Sequence, residues 1–371
     1  MSVNPSAKRI LIFSDEYPPA GGGAGVIAAQ LASDLAMAGA RVHLLTGDEP
    51  PDSDPAPDKH IRVHRKRLVW PLAYRGALKR LDLSSYDLIV LNDFVAAYVA
   101  GLIFPASTLA KAVIVVHGED SRYVYERRSS KHWIFGYRRA YTRLLTRCRQ
   151  VFAVSEYAQR LFRQHVPPSI DSRVDFCHAG LALRKMASST NATKRSLGIP
   201  PQARLLFSAS RLVREKGLVD QLVLFDDAIR SGADYYWFIA GDGPLREVLN
   251  EAIARRRLEQ RVRVLGRLPR SELAPYFSAA DVFWLLSHAT YETMGLVYLE
   301  ASYYGTPSIG LRNFGVIESI AEGRSGFFYE GGPIGPLIEK CVSELTSEGC
   351  TAHARTFSSE RFATRILALA S

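Results

Sequence analysis

Short apolar runs alternate with stretches of helical periodicity along the chain, and this alternation constrains the fold more than any other feature. An apolar run at residues 10–15 precedes a helical stretch at 25–38, and a second run follows at 42–47. Strands joined by helices in this way form parallel sheets with helices on both faces. The pattern therefore predicts an α/β fold of doubly wound parallel sheets, with functional residues at the carboxyl ends of the strands.

Further apolar runs extend the pattern through both halves of the chain. They lie at residues 88–93, 112–118, 151–155, 174–178, 205–210, 235–240, 262–265, 282–286, 308–311 and 326–329. Residues 181–201 interrupt the pattern with polar side chains and two prolines. The length of 371 residues is that of two domains. We predict a first domain at 1–180, a linker at 181–201 and a second domain at 202–357.

The composition is that of a globular protein, with 47% hydrophobic and 23% charged residues. No apolar run approaches the ~20 residues that a membrane-spanning helix needs. Lys8 and Arg9 precede an apolar stretch, as in a signal peptide, but Asp15 and Glu16 end that stretch too early. We therefore expect a cytoplasmic protein. The cysteine spacing predicts buried free thiols, without disulfide or zinc, at Cys148, Cys177, Cys341 and Cys350.

The net charge of +10 is concentrated in residues 122–149, where nine cations accompany a single acid, Glu126. The cations are Arg122, Arg127, Arg128, Lys131, Arg138, Arg139, Arg143, Arg147 and Arg149. Aromatic side chains lie between them, at Tyr123, Tyr125, Trp133, Phe135, Tyr137 and Tyr141. A solvated basic helix, nucleic-acid binding and docking on an anionic membrane are all compatible with this pattern. We favour membrane docking over nucleic acid, because no nucleic-acid recognition motif accompanies the charge.

A glycine-rich loop at residues 17–25 follows the first predicted strand and leads into a helix. Backbone N–H groups in such a loop favour an anionic ligand. Gly23, Gly25 and Ala28 match a dinucleotide fingerprint, with Asp48 further along the chain. The residues between the strand and these glycines would hold a pyrophosphate away from the sheet, which makes this match weak. A loop without ligand is the other alternative, and we favour a ligand-facing loop.

Two carboxylates, Glu292 and Glu300, flank Gly295 at the start of a predicted helix. The first amides of a helix have no carbonyl partner within it, so this helix start can hold a diphosphate. Glu300 could then accept hydrogen bonds from ribose hydroxyls and Glu292 from sugar hydroxyls. Acids exposed at a helix terminus are an equal alternative on spacing alone.

Arg211 follows a predicted strand and Lys216 precedes the next helix, so both cations can reach the same sheet edge. Fixed positive groups there would neutralise the charge that develops when a glycosidic bond to phosphate breaks. By itself, this spacing is more typical of a surface pair. A tight turn at residues 241–244 needs no ligand to explain it.

In order and spacing, these motifs resemble the GT-B glycosyltransferases, specifically the retaining family 4 group. The resemblance covers residues 10–326 and includes Pro18-Pro19 with the glycine loop, His117-Gly118, 154–156, Arg211 with Lys216, 241–244, 292–300 and 315–318. It implies two Rossmann-like domains that face each other across a cleft. The first would be the acceptor-side domain, and the second would bind the nucleotide-sugar donor.

The resemblance also implies roles for individual residues. Arg211 and Lys216 would bind the donor diphosphate, and Glu300 the ribose. Glu292 would bind sugar and phosphate together with the amides of Gly295, Leu296 and Val297. Gly22 and Gly23 would face the donor from the other domain, and His117 would lie beside the transferred sugar. Without the resemblance, a lone histidine at His117 is more often structural.

The family is held to retain anomeric configuration by front-face attack, without a covalent nucleophile. We therefore expect a metal-independent enzyme without cofactor, in which His117 and Glu292 serve catalysis.

The sequence departs from the family pattern in two places. At the interdomain crossover, residues 178–180 replace the Pro-Asn-Gly of many relatives, so the hinge geometry is open. Residues 331–349 offer one helix, and a C-terminal helix at about 358–371 is expected to pack back on the first domain.

We therefore expect a hexosyltransferase that uses a nucleoside-diphosphate sugar and a glycan or lipid-linked acceptor, in surface-polysaccharide or lipopolysaccharide synthesis. It would work in the cytoplasm or at the cytoplasmic face of the inner membrane, in contact with anionic lipid through residues 122–149 and without nucleic acid. A nicotinamide-dependent oxidoreductase and a non-catalytic nucleotide-sugar or membrane-binding protein remain alternatives. The base, the sugar, the acceptor and the oligomeric state are not encoded in these motifs.

Overall fold

The chain divides into two compact units. Its C-terminal residues belong to the first unit. A computed structural model describes residues 7–18, 22–47, 57–63, 70–126, 130–186 and 193–370. One unit consists of Met1–Gly180 with Ser359–Ser371, and the other of Leu181–Ser358. Part of the glycine loop, Asp48, Arg127 and Arg128 lie outside the described residues, as do the side chains of residues 131 and 132.

The first unit is built on a sheet of seven parallel strands. These are β1 (Arg9–Ser14), β2 (Arg41–Thr46), β3 (Lys59–Arg62), β4 (Leu88–Leu91), β5 (Ala112–Val116), β6 (Gln150–Ala153) and β7 (Val174–Phe176). Their order is β3-β2-β1-β4-β5-β6-β7. Every residue of β4 and β5 is buried, because helices cover both faces of a parallel sheet.

Nine helices are described in this unit. They are α1 (Gly23–Met37), α2 (Trp70–Leu78), α3 (Phe94–Ile103), α4 (Ala106–Leu109), α5 (Asp120–Tyr125), α6 (Ser130–Ile134), α7 (Tyr137–Leu145), α8 (Glu156–His165) and, from the C-terminal end of the chain, α17 (Ser359–Leu367). Helix α17 packs against α1, where the Ser359 hydroxyl donates to the Asp34 carboxylate. This contact attaches the end of the chain to the first unit.

The second unit repeats the architecture with six parallel strands. These are β8 (Arg204–Ala209), β9 (Tyr235–Ala240), β10 (Val262–Gly266), β11 (Val282–Leu285), β12 (Ser308–Leu311) and β13 (Gly326–Tyr329). Their order is β10-β9-β8-β11-β12-β13. Its described helices are α9 (Leu183–Met186), α10 (Leu218–Arg230), α11 (Arg246–Arg255), α12 (Ala274–Ala279), α13 (Leu296–Tyr303), α14 (Val316–Ser319), α15 (Ile334–Glu344) and α16 (Ser347–Ala354).

Both sheets reverse their strand order at one place. In the first unit the reversal lies between β1 and β4, and in the second between β8 and β11. On either side of such a reversal the connecting helices lie on opposite faces of the sheet, which leaves a crevice at the carboxyl ends of the two strands. The residues that follow β1, β4, β8 and β11 are therefore candidates for a functional site.

The predicted strands agree closely with the structure, apart from β3. This edge strand has no buried residue, so it lacks the apolar run on which the prediction depends. The expectation of one helix at residues 331–349 was wrong, because α15 ends at Glu344 and α16 begins at Ser347. The segment expected to be a linker belongs to the second unit, where Lys194 Nζ lies 3.0 Å from both carboxylate oxygens of Asp281.

The contact between α3 and α7 gives a test of the packing. A Cβ atom at Gly101 would lie 2.3 Å from the Ala140 carbonyl oxygen, whereas one at Gly76 in α2 would meet nothing within 4 Å. Gly76→Ala should raise the free energy of unfolding by up to about 1 kcal/mol through helix propensity. Gly101→Ala should lower it by about 1–3 kcal/mol, because the helices must separate. Denaturant unfolding measures both, and equal shifts in one direction would contradict this packing.

Candidate functional site

In the second unit, the loops after β8 and β11 meet at the reversal. The loop after β8 contains Arg211 and a 3-10 turn at Arg214–Lys216, and ends at Gly217. Gly217 has a φ of +69°, and a Cβ atom there would lie 2.3 Å from the Leu286 carbonyl oxygen. A glycine is therefore required at this point, and its close approach brings Lys216 beside the loop that follows β11.

Four side chains from these two loops form one cluster. Lys216 Nζ makes an ion pair with Glu292 Oε2, and both side chains are largely buried. The centre of the Tyr291 ring lies 5.6 Å from Arg211 Cζ and 5.5 Å from Lys216 Nζ. Arg211 itself is exposed. The structure thus brings together three of the predicted residues, and Tyr291 is a member of the cluster that the sequence analysis missed.

Helix α13 begins next to this cluster, after Gly295. Gly295 has a φ of +64°, and a Cβ atom there would lie 2.9 Å from the Tyr298 ring. The Tyr298 hydroxyl donates to the Leu285 carbonyl at the end of β11 over 2.6 Å. Leu296 and Val297 form the first turn, whose N–H groups have no carbonyl partner within the helix. The helix start is therefore fixed to β11 and presents amides suited to an anion.

Glu300 lies inside α13 and is 5% exposed. Its carboxylate makes an ion pair with Arg270, which lies in a 3-10 turn at Arg270–Glu272 after β10. The Arg270 side chain is 40% exposed, and partial desolvation lowers the pKa of Arg270 to about 10, so it stays charged at neutral pH. Arg270 was not predicted as a site residue. The sequence gives only a weak indication of its role, because it is a single cation in the loop after β10.

In the first unit, polar side chains fill the corresponding reversal. Asp93 follows β4, and its Oδ2 accepts from the Ser14 hydroxyl at 3.2 Å and from the Glu16 amide at 3.1 Å. Its Oδ1 accepts from the Ala96 amide at 2.8 Å and caps α3. Burial, with a smaller effect of nearby Asp15, raises the pKa of Asp93 to about 7. Asp93 was not predicted as a site residue, although the polar pair Asn92-Asp93 at the end of a predicted strand could have indicated it.

His117 follows β5 and lies against the same group. Its Nε2 is 2.6 Å from the Asn92 carbonyl oxygen, so Nε2 carries the proton and donates. The backbone N–H of His117 donates to Asp120 Oδ2 over 3.3 Å. Burial lowers the pKa of His117 to about 4 and raises that of Asp120 to about 6. His117 is therefore a neutral donor whose orientation is fixed by the backbone after β4.

The described end of the glycine loop has a specific arrangement. The Gly22 amide donates to Glu16 Oε2 over 3.0 Å, and Gly23 is the first residue of α1. A Cβ atom at Gly25 would lie 3.1 Å from the Tyr17 amide nitrogen, whereas one at Gly23 would meet nothing within 4 Å. Close packing against Tyr17 explains Gly25 without a dinucleotide.

Among the described residues, no group of three or more His, Cys, Asp or Glu side chains is arranged to hold a metal ion. Cys148, Cys341 and Cys350 are buried free thiols, and Cys177 is partly buried. Burial raises the pKa of Cys148 to about 12, so this thiol is not a nucleophile at neutral pH.

The pKa of His117 gives a second prediction. Since the folded value of about 4 lies below the usual 6.5, the folded protein favours neutral imidazole, and stability is lost as the pH falls from 6.5 through 4. We expect one histidine ring to titrate near pH 4 by NMR, and its signal to vanish in His117→Gln. The exposed His288 is the matched control, since His288→Gln should leave that signal in place. Titration of His117 near 6.5 would contradict the burial described above.

Two family models match the chain in tandem. "Glycosyltransferase Family 4" matches residues 21–181, and "Glycosyl transferases group 1" matches residues 189–348. This chain belongs to the group 1 glycosyltransferases. The family resemblance inferred from the motifs is thereby confirmed.

Curated proteins with similar sequences include two synthases. The alpha-monoglucosyldiacylglycerol synthase of Streptococcus pneumoniae is 30% identical over 177 residues, which cover 47% of this chain and 40% of that protein. This chain thus spans less than half the length of that relative. The glycogen synthase of Mycobacterium tuberculosis is 29% identical over 364 residues, covering 86% of this chain and 81% of that protein.

Solved structures show the same fold. HepE of Anabaena in complex with UDP matches this group 1 glycosyltransferase with a TM-score of 0.74 and 20% identity, over 97% of this chain and 98% of that chain. The complex of HepE with UDP-glucose matches with a TM-score of 0.72. Together with the two parallel sheets described above, these likenesses show the GT-B fold of two Rossmann-like domains.

Proposed function

We propose that this chain is a retaining hexosyltransferase. It transfers a hexose-type sugar from a nucleoside diphosphate to a hydroxyl group of a glycan or glycolipid, without a metal ion or cofactor. The observation that carries the proposal is the cluster of Arg211, Lys216 and Glu292 beside the start of α13, at the strand-order reversal of the second sheet. Family membership supports it, and so does the UDP-glucose bound by HepE.

The cations of the cluster suit a donor diphosphate. Arg211 is exposed and can form paired hydrogen bonds to phosphate oxygens. Lys216 is held by Glu292 and supplies a positioned point charge. The amides of Gly295, Leu296 and Val297 add donors at the positive end of a helix. These groups together would hold two phosphates, which carry most of the donor's charge.

Catalysis in this proposal depends on the leaving group. As the bond between the anomeric carbon and the phosphate oxygen breaks, negative charge grows on the diphosphate, and Arg211, Lys216 and the helix amides stabilise it. Glu292 positions Lys216 and binds hydroxyls of the sugar. The acceptor hydroxyl oxygen bonds to the anomeric carbon on the face from which the diphosphate departs, and a phosphate oxygen takes its proton. Because attack and departure share one face, the anomeric configuration is retained. Positioning contributes the remaining rate enhancement.

Residues of the first unit are assigned to the transferred sugar in the same proposal. A neutral His117, oriented by the Asn92 carbonyl, would bond a sugar hydroxyl, and the backbone at Gly22 and Gly23 would face the donor. The glycolipid product named for the Streptococcus pneumoniae relative supports a lipid-linked acceptor. Surface-polysaccharide or lipopolysaccharide synthesis at the cytoplasmic face of the inner membrane is the setting we propose.

Activity is tested by release of nucleoside diphosphate from UDP-, GDP- and ADP-hexoses, first ranked by thermal shift. With an α-linked donor and a matching acceptor, we expect an α-linked product by NMR of the anomeric proton. A β-linked product would overturn retention.

A thermal or spectral response to NAD without any response to nucleotide sugars would favour the oxidoreductase alternative. Binding of a nucleotide sugar without transfer would favour a non-catalytic role.

Arg211→Ala and Arg214→Ala form a matched pair within this assay, since both arginines are exposed in the same loop. Loss of a charged hydrogen bond to phosphate should weaken donor binding or turnover by about tenfold or more in Arg211→Ala. Arg214→Ala should change neither. Equal activity of the two variants would remove Arg211 from the donor site.

The ribose role of Glu300 has a separate test. Glu300→Gln should weaken binding of the preferred nucleoside diphosphate by about tenfold, but leave its 2′,3′-dideoxy analogue almost unchanged, because the analogue lacks the hydroxyls. Arg270→Gln combined with Glu300→Gln removes both charges of the ion pair and serves as the folding control. Unchanged discrimination between the two ligands, measured by calorimetry, would refute this role.

A further inference from the structure

One surface of the first unit takes no part in the site described above. It is formed by α6, α7 and the turn between them, and consists of Trp133, Ile134, Arg138, Arg139 and Arg147. We name it the α6–α7 surface. The five residues line a groove of about 850 Å³. Trp133 is 86% exposed and Ile134 is 67% exposed, the two highest values among the large hydrophobic side chains described.

The structure separates the aromatic residues of this segment into two groups. Tyr137 and Tyr141 pack inward: the Tyr137 ring lies 4.6 Å from that of Tyr98, and Tyr141 is buried. Phe135 stays 39% exposed, although its ring lies 5.8 Å from that of Tyr137. Trp133 stays outside, next to Ile134. Among the described rings of this segment, Trp133 alone is exposed over most of its surface, whereas base stacking uses several well-exposed rings. An exposed indole beside an aliphatic side chain suits the boundary between lipid headgroups and acyl chains.

The arginines also fall into two groups. Arg143 donates to the carbonyl oxygens of Gly101 and Phe104, both over 2.6 Å, and so fastens α7 to α3. On the outward side, Arg138, Arg139 and Arg147 are exposed, and in the described part of the chain no acidic side chain forms an ion pair with them. The Arg138 guanidinium lies 5.6 Å from the centre of the Tyr125 ring. Because the three arginines have no acidic partner in the described residues, their charge is available to an anionic partner.

We propose that the α6–α7 surface docks this chain on membranes that contain anionic phospholipid. Trp133 and Ile134 insert at the level of the headgroups, while Arg138, Arg139 and Arg147 contact lipid phosphates. Exposed apolar side chains next to unpaired cations have this complementarity to an anionic bilayer. In the described ranges, no helix is long and apolar enough to cross a bilayer. The inference stands apart from the proposed function, because it requires no catalysis.

The test is sedimentation of the full chain with vesicles of phosphatidylcholine, alone or mixed with phosphatidylglycerol. We expect binding only to the mixed vesicles, weakened by salt. Replacing Arg138, Arg139 and Arg147 by alanine should lower the affinity about a hundredfold. Trp133→Ala with Ile134→Ala should lower it at least about tenfold. Lys79→Ala with Arg80→Ala, and Leu72→Ala, are matched exposed controls from the same unit and should bind as the unsubstituted chain does.

Three further measurements distinguish lipid docking from a soluble-anion site and from RNA binding. Tryptophan emission should shift to the blue with mixed vesicles, and not in Trp133→Ala. Glycerol phosphate at the same phosphate concentration should not displace the vesicles; displacement would mean a soluble-anion site and overturn the proposal. Stronger binding to mixed-sequence RNA than to vesicles, lost in the arginine variant, would also overturn it. Unchanged circular dichroism and nucleotide affinity in every variant show that the fold and the donor site are intact.

Discussion

The constraint on which this molecule depends is that a parallel sheet is buried on both faces. Strands such as β4, β5 and β11 are entirely buried, so polar side chains enter each unit where a strand ends. The reversals of strand order then bring two strand ends to one crevice, twice in the chain. The positions of Asp93 after β4 and of Arg211 after β8 follow from this topology.

The two crevices handle buried charge in opposite ways. In the second unit each buried glutamate has a cation, since Glu292 pairs with Lys216 and Glu300 with Arg270. An anionic ligand there meets positive groups that are already positioned, so little reorganisation accompanies binding. In the first unit, burial raises the pKa of Asp93 and lowers that of His117, so both groups favour their neutral forms. The polar groups of the two crevices therefore differ: the second unit holds paired charges, and the first holds groups shifted towards their neutral forms.

Periodicity predicted most of the strands because their burial makes them continuous apolar runs, and β3 was missed because it lies exposed at an edge. The cluster around Lys216 could be predicted in part, since its members follow strands in the sequence. The pairing of Arg270 with Glu300 could not be, because it joins loop and helix across thirty positions and depends on how β10 and α13 pack. Tyr291 gave no signal in the sequence beyond being next to Glu292, and only the structure shows that its ring lies close to both cations.

The basic segment shows why composition alone could not settle its role. Counted along the sequence, its arginines are equivalent, but their partners differ: Arg122 pairs with Glu119 and Glu126, and Arg143 bonds backbone carbonyls of α3. Such contacts satisfy the guanidinium within the fold and leave little of it for a partner. Packing of α7 through its apolar face then leaves Arg138 and Arg139 outward, near Trp133. A charge excess is therefore available to a partner only where the fold leaves it without an acidic neighbour.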